Sequence, residues 1–514
     1  MTVSRRAVLG GLIGAVAVPV LSACASGNPL GATPISSDLQ KAIERVEAKR
    51  FASGIKRKYE LTQAATEIDL GNGQAILAKT FNGKLPGEAI RVSNGDLVSL
   101  VSKNTLGEDT SVHIHGLALR NDMDGVPGLT QSEIANGSSF TQTFKAPHPG
   151  TYWYHSHTGL QPESGLYGSF VIEDPNEKLA YDSEFVIMLD DWTLGIGNTP
   201  EQILEGLTSG SGGSGHDMGS MSGMGDMGSG MMGGMSGMSG MSDPATLGLG
   251  MSDVEYPAYI INGKFPEFPE VFAAKKNQRI RLRVINAASD TAFFFSLAGT
   301  EFTITHTDGF TVKPKKAKAA LLGMGERLDV VFTVKSDVTQ ILAEAVGKTG
   351  TPGRAVVKVG SASVPESITY KANPIQVVQA HDLVTTDDHT LSGKPSANLS
   401  AMLMGSMSPY SWNINGNTDM HGELFQLREG ETARMTIMNH SMMFHPMHLH
   451  GHTFQVKSAN GKNFNGPRKD TLIVKPMQSV VIDILADNPG KWAFHCHNTY
   501  HMHTGMMGAI NYKL

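Results

Sequence analysis

The stretch INGK at residues 261–264, followed by the alternating run RIRLRVIN at 279–286, indicates how this 514-residue chain folds. An Asn-Gly pair favours a tight turn, and alternation of charged and apolar residues is typical of a strand with one buried face. The same order occurs twice more: FNGK at 81–84 precedes VSNGDLV at 92–98, and INGN at 414–417 precedes LREGE at 427–431. A turn, a spacer and a strand therefore recur three times.

The spacing of the three copies gives the size of the repeating unit. The strand-like runs close on Asn104, Asn286 and Asn439. The interval of roughly 150 to 180 residues is the size of a domain rather than of a solenoid repeat. Short strands bounded by turn residues then predict an all-β chain of three consecutive β-sandwich domains. We place these domains at residues 58–180, 181–375 and 376–514.

The composition limits the classes of protein to which the chain can belong. Hydrophobic residues make up 40% and charged residues 18%, so the chain can bury a substantial core. The formal net charge is −6, and no run of basic residues occurs. A nucleic-acid-binding protein normally carries a basic patch, and we therefore exclude that class.

The N-terminal residues 1–23 have the pattern of an export signal. Paired arginines at positions 5 and 6 precede an apolar run that is too short to span a bilayer, as in twin-arginine signals. The following Leu-Ser-Ala-Cys resembles a lipoprotein cleavage box, which predicts that Cys24 is lipidated. An ordinary signal peptide with a chance cysteine is the alternative. We expect an exported protein on the outer face of a bacterial cytoplasmic membrane, with residues 24–57 as a tether to the first domain.

The second predicted domain contains a low-complexity insertion at residues 209–242, built from Gly, Ser and Met. Such a composition buries too little apolar area to offset the entropy of ordering, and Gly/Ser chains behave as flexible coils. We expect this segment to be disordered.

Histidines are concentrated in four short clusters. These are HIH at 113–115, HSH at 155–157, HPMHLHGH at 445–452 and HCH at 495–497. On a strand, residues i and i+2 face the same side, so each His-x-His pair can direct two imidazoles into one metal cluster. The same alternation directs Cys496 to the opposite face from His495 and His497. One strand can therefore serve two metal sites.

The residues around Cys496 match the ligand pattern of a blue-copper site. Such a site has two histidines, one cysteine and a weak axial methionine. His445, Cys496 and His501 supply the strong ligands, and Met506 stands at the axial position. Structural histidines or a zinc site are the alternatives, but zinc does not require the axial methionine.

The four clusters, in this order, closely resemble the motifs of the multicopper oxidase family, most of all its exported, lipoprotein-type copper-tolerance members. The resemblance implies three cupredoxin-like Greek-key domains and four copper ions per chain: one type 1, one type 2 and a type 3 pair. It places the type 2 ion on His113 and His448. It implies a middle domain without copper. The type 3 ligands that it implies are His115, His155, His157, His450, His495 and His497.

The resemblance also implies the reaction. Reduction of O2 to two waters takes four electrons, which four copper ions can hold. It suggests that Asp124 assists proton delivery, although an aspartate before Gly125 also suits a turn. Many bacterial relatives have an acid just after the second type 1 histidine. Met502 stands there in this chain, which puts a relay through that position in doubt.

Methionine usage indicates Cu(I) as the reducing substrate, because thioether sulfur is a soft ligand that selects Cu(I). Met442 and Met443, just before His445, are candidate substrate contacts, with core packing as the alternative. Relatives often have an acid at the position of Ser441. The insertion at 209–242 supplies nine further candidates, with an inert linker as the alternative: Met218, Met221, Met224, Met227, Met231, Met232, Met235, Met238 and Met241.

We therefore predict a cuprous oxidase acting in copper tolerance, with O2 and Cu(I) as partners, a lipid anchor in the membrane and a monomeric state. A laccase-like phenol oxidase or a ferroxidase would share all the copper ligands. A copper-storage lipoprotein would need neither Cys496 nor the paired type 3 histidines. A copper nitrite reductase fits poorly because the chain has three repeats rather than two.

Overall fold

The computed structural model describes residues 35–209, 253–368, 370–372 and 376–513. The predicted signal at 1–23, the lipidation site Cys24 and the nine methionines of the insertion lie outside the described residues. Of the three α-helices in the described ranges, none is long and apolar enough to cross a membrane.

The first domain is a pair of four-stranded sheets, with strand orders β2-β1-β4-β6 and β3-β8-β7-β5. Helix α1, Ser37–Lys49, precedes them. The strands are β1 Lys56–Asp69, β2 Ala75–Phe81, β3 Gly87–Ser93, β4 Leu97–Asn104, β5 His113–His115, β6 Ser139–Lys145, β7 Gly150–His155 and β8 Tyr167–Glu173.

The second domain is a pair of six-stranded sheets, with strand orders β10-β9-β12-β17-β14-β15 and β11-β19-β18-β13-β16-β20. Helix α2, Pro200–Ser209, follows β9. The strands are β9 Ser183–Trp192, β10 Ala258–Ile261, β11 Glu270–Ala274, β12 Arg279–Asn286, β13 Phe293–Ser296, β14 Phe302–Thr307, β15 Phe310–Ala317, β16 Ala319–Leu322, β17 Arg327–Thr333, β18 Val338–Ala345, β19 Gly353–Val359 and β20 Val377–Val378.

The third domain pairs a sheet of order β22-β21-β24-β30-β26-β27, with β28 beside β26, and a sheet of order β23-β32-β31-β25-β29. Helix α3, Thr499–His503, lies between β31 and β32. The strands are β21 Ala397–Met407, β22 Tyr410–Ile414, β23 Glu423–Arg428, β24 Thr432–Asn439, β25 His445–Leu449, β26 Phe454–Ala459, β27 Lys462–Asn463, β28 Arg468–Lys469, β29 Thr471–Val474, β30 Ser479–Leu485, β31 Lys491–Cys496 and β32 Met507–Lys513.

The three domains share one local topology, which confirms the predicted repeat of three sandwich domains. In each domain the first strand pairs antiparallel with the second and parallel with a later strand: β1 with β2 and β4, β9 with β10 and β12, and β21 with β22 and β24. The Asn and Gly of each turn motif have positive φ angles, as a tight turn requires. The domain boundaries stay predictions. The sheets themselves span 56–173, 183–378 and 397–513.

The asparagine that closes each repeat has a structural function. Strands β4, β12 and β24 end at Asn104, Asn286 and Asn439. Each side chain is buried, and its amide group donates to one carbonyl oxygen four or five residues later and to another farther along the chain; Asn439 reaches those of Met443 and Val474. Buried carbonyl groups need hydrogen-bond partners, and this side chain supplies them where the strand stops.

The predicted tether contains a docked helix. Ser36 caps α1 by accepting a hydrogen bond from the Leu39 amide at 3.1 Å. Leu39 and Ile43 are buried in the main apolar cluster. Lys145 of the first domain donates to carbonyl oxygens at the C-terminal end of α1. Residues 37–49 therefore pack onto the body of the protein, because the amphipathic pattern of this segment gives it an apolar face to bury.

Candidate metal centre

Short strands from the first and third domains bring the histidine clusters together. In the first domain β5 lies antiparallel to β7, so that His113 faces His155. In the third domain β25 lies antiparallel to β31, so that His448 faces His495. Rings from the two domains then stack: the centroids of His113 and His450 are 4.0 Å apart. The site lies between the first and third domains.

The eight histidines that the resemblance assigns to the type 2 and type 3 ions fall into groups of the size that copper requires. In each group the nitrogen atoms lie within 4.8 Å of one another, and all side chains are buried. The groups are His115 with His155 and His497, His157 with His450 and His495, and His113 with His448 and His115. Two sets of three plus the remaining pair suit a dinuclear site beside a third ion.

The imidazole nitrogens are arranged as ligands and not as hydrogen-bond partners of one another. Nε2 of His450 lies 2.9 Å from Nε2 of His495. The other nitrogen of each ring faces an acceptor: the Asp124 carboxylate for His450 and the Cys496 carbonyl oxygen for His495. Both facing nitrogens therefore carry lone pairs, which would repel unless a cation lay between them. Copper fits this donor set.

Burial keeps these imidazoles neutral. Desolvation lowers the pKa of His115, His155, His157, His450 and His497 well below the ordinary value. It also lowers the pKa of His448, and that of His495 to about 3. A metal ligand must be in the deprotonated form, so the rings are ready to bind at neutral pH.

The second group consists of His445, Cys496 and His501. The Cys496 sulfur lies 3.6 Å from Nδ1 of each histidine, and the two Nδ1 atoms are 3.0 Å apart. All three side chains and Met506 are fully buried. Burial raises the pKa of the Cys496 thiol and lowers that of His445 well below its usual value. The three atoms form the triangle that a blue-copper ion requires.

Strand alternation at β31 works as the sequence predicts. His495 and His497 point into the eight-histidine cluster, and Cys496 between them points into the group with His445 and His501. The backbone of one strand therefore connects the two sites through two covalent paths. This is the shortest covalent route for an electron that moves from one site to the other.

Asp124 lies inside the cluster. It follows a 3₁₀ turn at Asn121–Met123 and is fully buried. Its carboxylate accepts from Nδ1 of His450 at 2.9 Å, and its carbonyl oxygen accepts from Nδ1 of His113 at 2.7 Å. Besides its place in a turn, this residue orients two predicted ligands. Its function in proton delivery stays a prediction.

A second buried acid, Asp470, escaped the sequence reasoning. Its carboxylate lies 3.2 Å from Nε2 of His115 and 3.4 Å from Nδ1 of His448. Arg327 of the second domain holds it through two hydrogen bonds of 2.7 and 2.6 Å. Burial alone would raise the pKa of Asp470, but the Arg327 guanidinium keeps this pKa well below the ordinary value. A charged pair directly before the apolar run TLIV at 471–474 is the only sequence signal.

Asp253 is the third acid at the metal centre, and the sequence did not indicate it either. It contacts the type 1 group. Its carboxylate accepts from Nε2 of His501 at 2.7 Å and from the hydroxyl of Tyr410. On the other ligand, Nε2 of His445 lies 2.8 Å from the Ser441 hydroxyl. Ser441, where relatives often have an acid, therefore orients a ligand, and the acid comes from the second domain.

The two methionines before His445 differ in exposure. Met443 is 2% exposed and packs in the main apolar cluster, whereas Met442 is 51% exposed. Met443 therefore packs in the core, which was the alternative to a substrate contact. Met442 remains accessible from solvent beside the type 1 group.

A cleft with a volume of about 520 Å³ reaches the cluster at His157. Asp109, Glu133 and Met502 are among its lining residues. His157 and His497 are the most exposed of the eight cluster histidines, at 9% each. A small molecule such as O2 can therefore approach the histidine cluster from this side. Met502 occupies the cleft without offering a proton.

Comparisons with known proteins agree with this geometry. Three family models, each described as multicopper oxidase, match residues 63–177, 183–353 and 394–513. The chain is 39% identical to the multicopper oxidase MmcO of Mycobacterium tuberculosis, over 99% of this chain and 97% of that protein. It is 28% identical to copper resistance protein A of Escherichia coli, over 88% and 92%.

Solved structures share the fold. A laccase from Botrytis aclada superposes with a TM-score of 0.72 at 22% identity, over 91% of this chain and 90% of the laccase. Fet3p, a multicopper oxidase that functions in iron import, superposes with a TM-score of 0.71 at 22% identity, over 89% and 90%. The predicted class, three cupredoxin-like β domains, is confirmed.

Proposed function

The chain belongs to the multicopper oxidase family, and from that premise we propose that it oxidises Cu(I) to Cu(II) in copper tolerance. Four substrate ions each give one electron, and one O2 with four protons becomes two waters. Copper bound in the two sites supplies the one-electron oxidation and the four-electron reduction. The observation behind the choice of Cu(I) is the position of Asp253 on the ligand His501.

Asp253 supplies a negative charge where a cationic reductant would give up its electron. The carboxylate contacts Nε2 of His501, the edge of the ring that points away from the Cys496 sulfur. A carboxylate attracts a cation and stabilises the additional positive charge that the cation acquires when oxidised. Through its hydrogen bond, it also fixes the orientation of the ligand ring.

The described residues on either side of the methionine-rich insertion lie near the type 1 group. Helix α2, which ends at Ser209, contacts β22. Trp412 of β22 lies against His501, with ring centroids 4.1 Å apart. Asp253 is the first residue that the structure describes after position 252. The segment rich in Cu(I)-selective thioethers is therefore preceded by a helix that contacts β22 and followed by a residue that contacts His501.

The relatives support copper as the substrate. Copper resistance protein A of Escherichia coli and its Pseudomonas syringae homologue resemble this chain over 88% of its length. The predicted export and lipid anchor would place the activity outside the cytoplasm, where Cu(II) crosses the membrane less readily than Cu(I).

Residues of the chain also prepare the cluster for proton transfer. Oδ2 of Asp124 is engaged by His450, whereas Oδ1 is buried and has no hydrogen-bond partner in the described part of the chain. Oδ1 lies 3.4 Å from Nδ1 of His113 and accepts no hydrogen bond from it, so this is the oxygen left free for a proton that moves toward the cluster. We propose it as the last proton donor before the cluster.

Replacing Asp253 with asparagine should lower kcat/KM for Cu(I) by about 10- to 100-fold, the usual cost of losing a partner of a metal ligand. The asparagine keeps the shape of the side chain but removes the charge. The measurement is O2 consumption by the copper-loaded enzyme with Cu(I) and, separately, with a phenol.

Glu255→Gln is the matched control. It removes a negative charge two positions along the chain from Asp253, and the Glu255 carboxylate faces Thr349 instead of a copper ligand. We expect Glu255→Gln to retain full Cu(I) activity. Equal losses in the two variants, or a loss with the phenol alone, would refute Cu(I) as the substrate that Asp253 serves.

Removal of residues 210–242, with α2 left intact, should raise KM for Cu(I) several-fold and leave the phenol rate unchanged. Thioethers on a flexible chain can gather around one soft ion, and their loss lowers its local concentration. Replacement of the segment by Gly/Ser of the same length is the control for linker length. If the Gly/Ser version oxidises Cu(I) like the wild type, the methionines do not capture substrate.

A further inference from the structure

Exposed methionines are concentrated in the third domain. Among the described residues with large apolar side chains exposed to solvent, the methionines are Met402, Met407, Met442 and Met477, and all belong to this domain. Exposed strand positions normally carry polar or β-branched residues. Two of these methionines, Met402 and Met407, stand on strand β21 and therefore need a specific explanation.

The strand register brings a set of soft ligands together. Strands β21 and β24 run parallel, with Met402 opposite Met438. The ladder continues through a hydrogen bond of 2.9 Å from the His440 amide to the Leu403 carbonyl oxygen, which brings His440 level with Met404. We name Met402, Met404, Met438 and His440 the methionine square.

All four members lie on the outer face of the sheet. The alternate positions Ala401, Leu403, Ile437 and Asn439 are buried. Because successive residues of a strand point to opposite faces, the members of the square share the other face. Met402 and His440 are exposed, and Met404 and Met438 are half-buried.

The dimensions of the square suit one soft ion. Neighbouring strands lie about 4.8 Å apart, and residues i and i+2 of one strand are about 7 Å apart. A methionine side chain has three rotatable bonds, so three thioethers can converge above the centre of such a square. Thioether and imidazole ligands together select Cu(I) among the biological metals.

The surroundings of the square disfavour hard cations. The outer-face neighbours across the sheet are Asn413, opposite Met404, and Ser479, opposite Met438. Neither side chain carries a charge. Magnesium, calcium and manganese prefer carboxylates, which the square lacks.

We propose that the methionine square is a Cu(I)-binding site on the protein surface, separate from the copper ions of the oxidase. His440 directly precedes Ser441, whose hydroxyl contacts the type 1 ligand His445. An ion bound by His440 would therefore lie next to Ser441 in the chain, the residue that contacts the type 1 ligand His445. Its use as a waiting place for substrate rests on the proposed function, whereas binding itself does not.

Titration with Ag(I), a redox-inert soft cation, tests the site. The copper-loaded full chain, fully reduced under anaerobic conditions and labelled with ¹³C at the methionine methyl groups, is observed by NMR. We expect the methyl signals of Met402, Met404 and Met438, assigned through single Met→Leu variants, to shift together along one binding curve. Met407 and Met477 lie outside the square and should not follow that curve.

A Cu(I) competition with a chromophoric chelator gives a second measurement. The variant Met402→Leu/Met404→Leu/Met438→Leu should hold one Cu(I) fewer than the wild type, and Met407→Leu/Met477→Leu should hold the same number. Independent or absent shifts in the square, or equal Cu(I) counts in the triple variant and wild type, would overturn the site. Because Ag(I) is not oxidised, failure of Cu(I) turnover leaves this outcome unaffected.

Discussion

Replacement of Cys496 with serine should abolish the intense blue absorption of the copper-loaded enzyme and stop O2 consumption with every reductant. The thiolate is the only strong sulfur ligand of the type 1 group, and a hydroxyl is too hard to replace it. Electrons also lose the covalent route from this group to His495 and His497. We expect a fall in rate of more than about 100-fold, beyond the usual cost of losing an outer partner of a metal site.

Copper analysis separates this effect from misfolding. The serine variant should bind about three copper ions instead of four, because the ligand sets of the cluster are untouched. His503→Gln, on the same helix α3 but outside the ligand groups, should keep the colour, the copper and the rate. A serine variant that stays blue, or still binds four ions, would contradict the assignment of Cys496.

The division of the HCH residues between two sites could be predicted from local geometry, whereas the assignment of histidines to type 2 and type 3 ions came from the family resemblance. A strand has a period of two, so HCH at 495–497 specifies on its own which side chains face which site. The repeat was visible for a similar reason: β4, β12 and β24 each end at a buried asparagine. Turn and strand patterns are short-range, and three copies strengthened one another.

The residues around the ligands could not be predicted in this way. Asp253 contacts His501 across 248 positions of the chain. Arg327 contacts Asp470 across 143 positions. Nothing in the neighbouring sequence distinguishes Asp253 or Arg327 from an ordinary charged residue at a strand end or in a loop. They become important only when the domains pack. A buried charge is cut off from water, so it depends on the partner that the fold places beside it.

The middle domain therefore contributes to both sites although the resemblance implies no copper in it. It supplies Asp253 to the type 1 group and Arg327 to the cluster. The Arg327 guanidinium is fully buried and also donates to the Thr151 carbonyl oxygen of the first domain. One side chain thus ties all three domains together beneath the cluster. A fixed support of this kind keeps metal ligands in position before the metal binds.

Replacement of Asp470 with asparagine should lower both stability and the integrity of the cluster. The change leaves Arg327 buried without its main charge partner, which costs about 3–5 kcal/mol. It also replaces the negative carboxylate beside His115 and His448 with a neutral amide, so we expect copper affinity in the cluster to fall about 10- to 100-fold. The measurements are the thermal unfolding midpoint and the paramagnetic resonance signal of the type 2 copper.

Asp329→Asn is the matched control for that experiment. Asp329 is equally buried and accepts from Arg281 and Arg283, but it contacts no predicted copper ligand. Burial raises its pKa, yet the two guanidinium groups hold that pKa well below the ordinary value. Its contribution to stability is therefore present above the unfolded pKa of about 3.9 and is lost only at lower pH.

We expect the two variants to lose similar stability at neutral pH, with the type 2 signal altered in Asp470→Asn alone. Removing one partner of a buried ion pair leaves an uncompensated charge wherever the pair lies, whereas the orientation of a ligand ring depends on the atom that the ring contacts. If Asp329→Asn disturbs the copper signal as much as Asp470→Asn, the cluster depends on the packing of the domains in general. If it does not, the carboxylate beneath His115 and His448 is what sets their geometry.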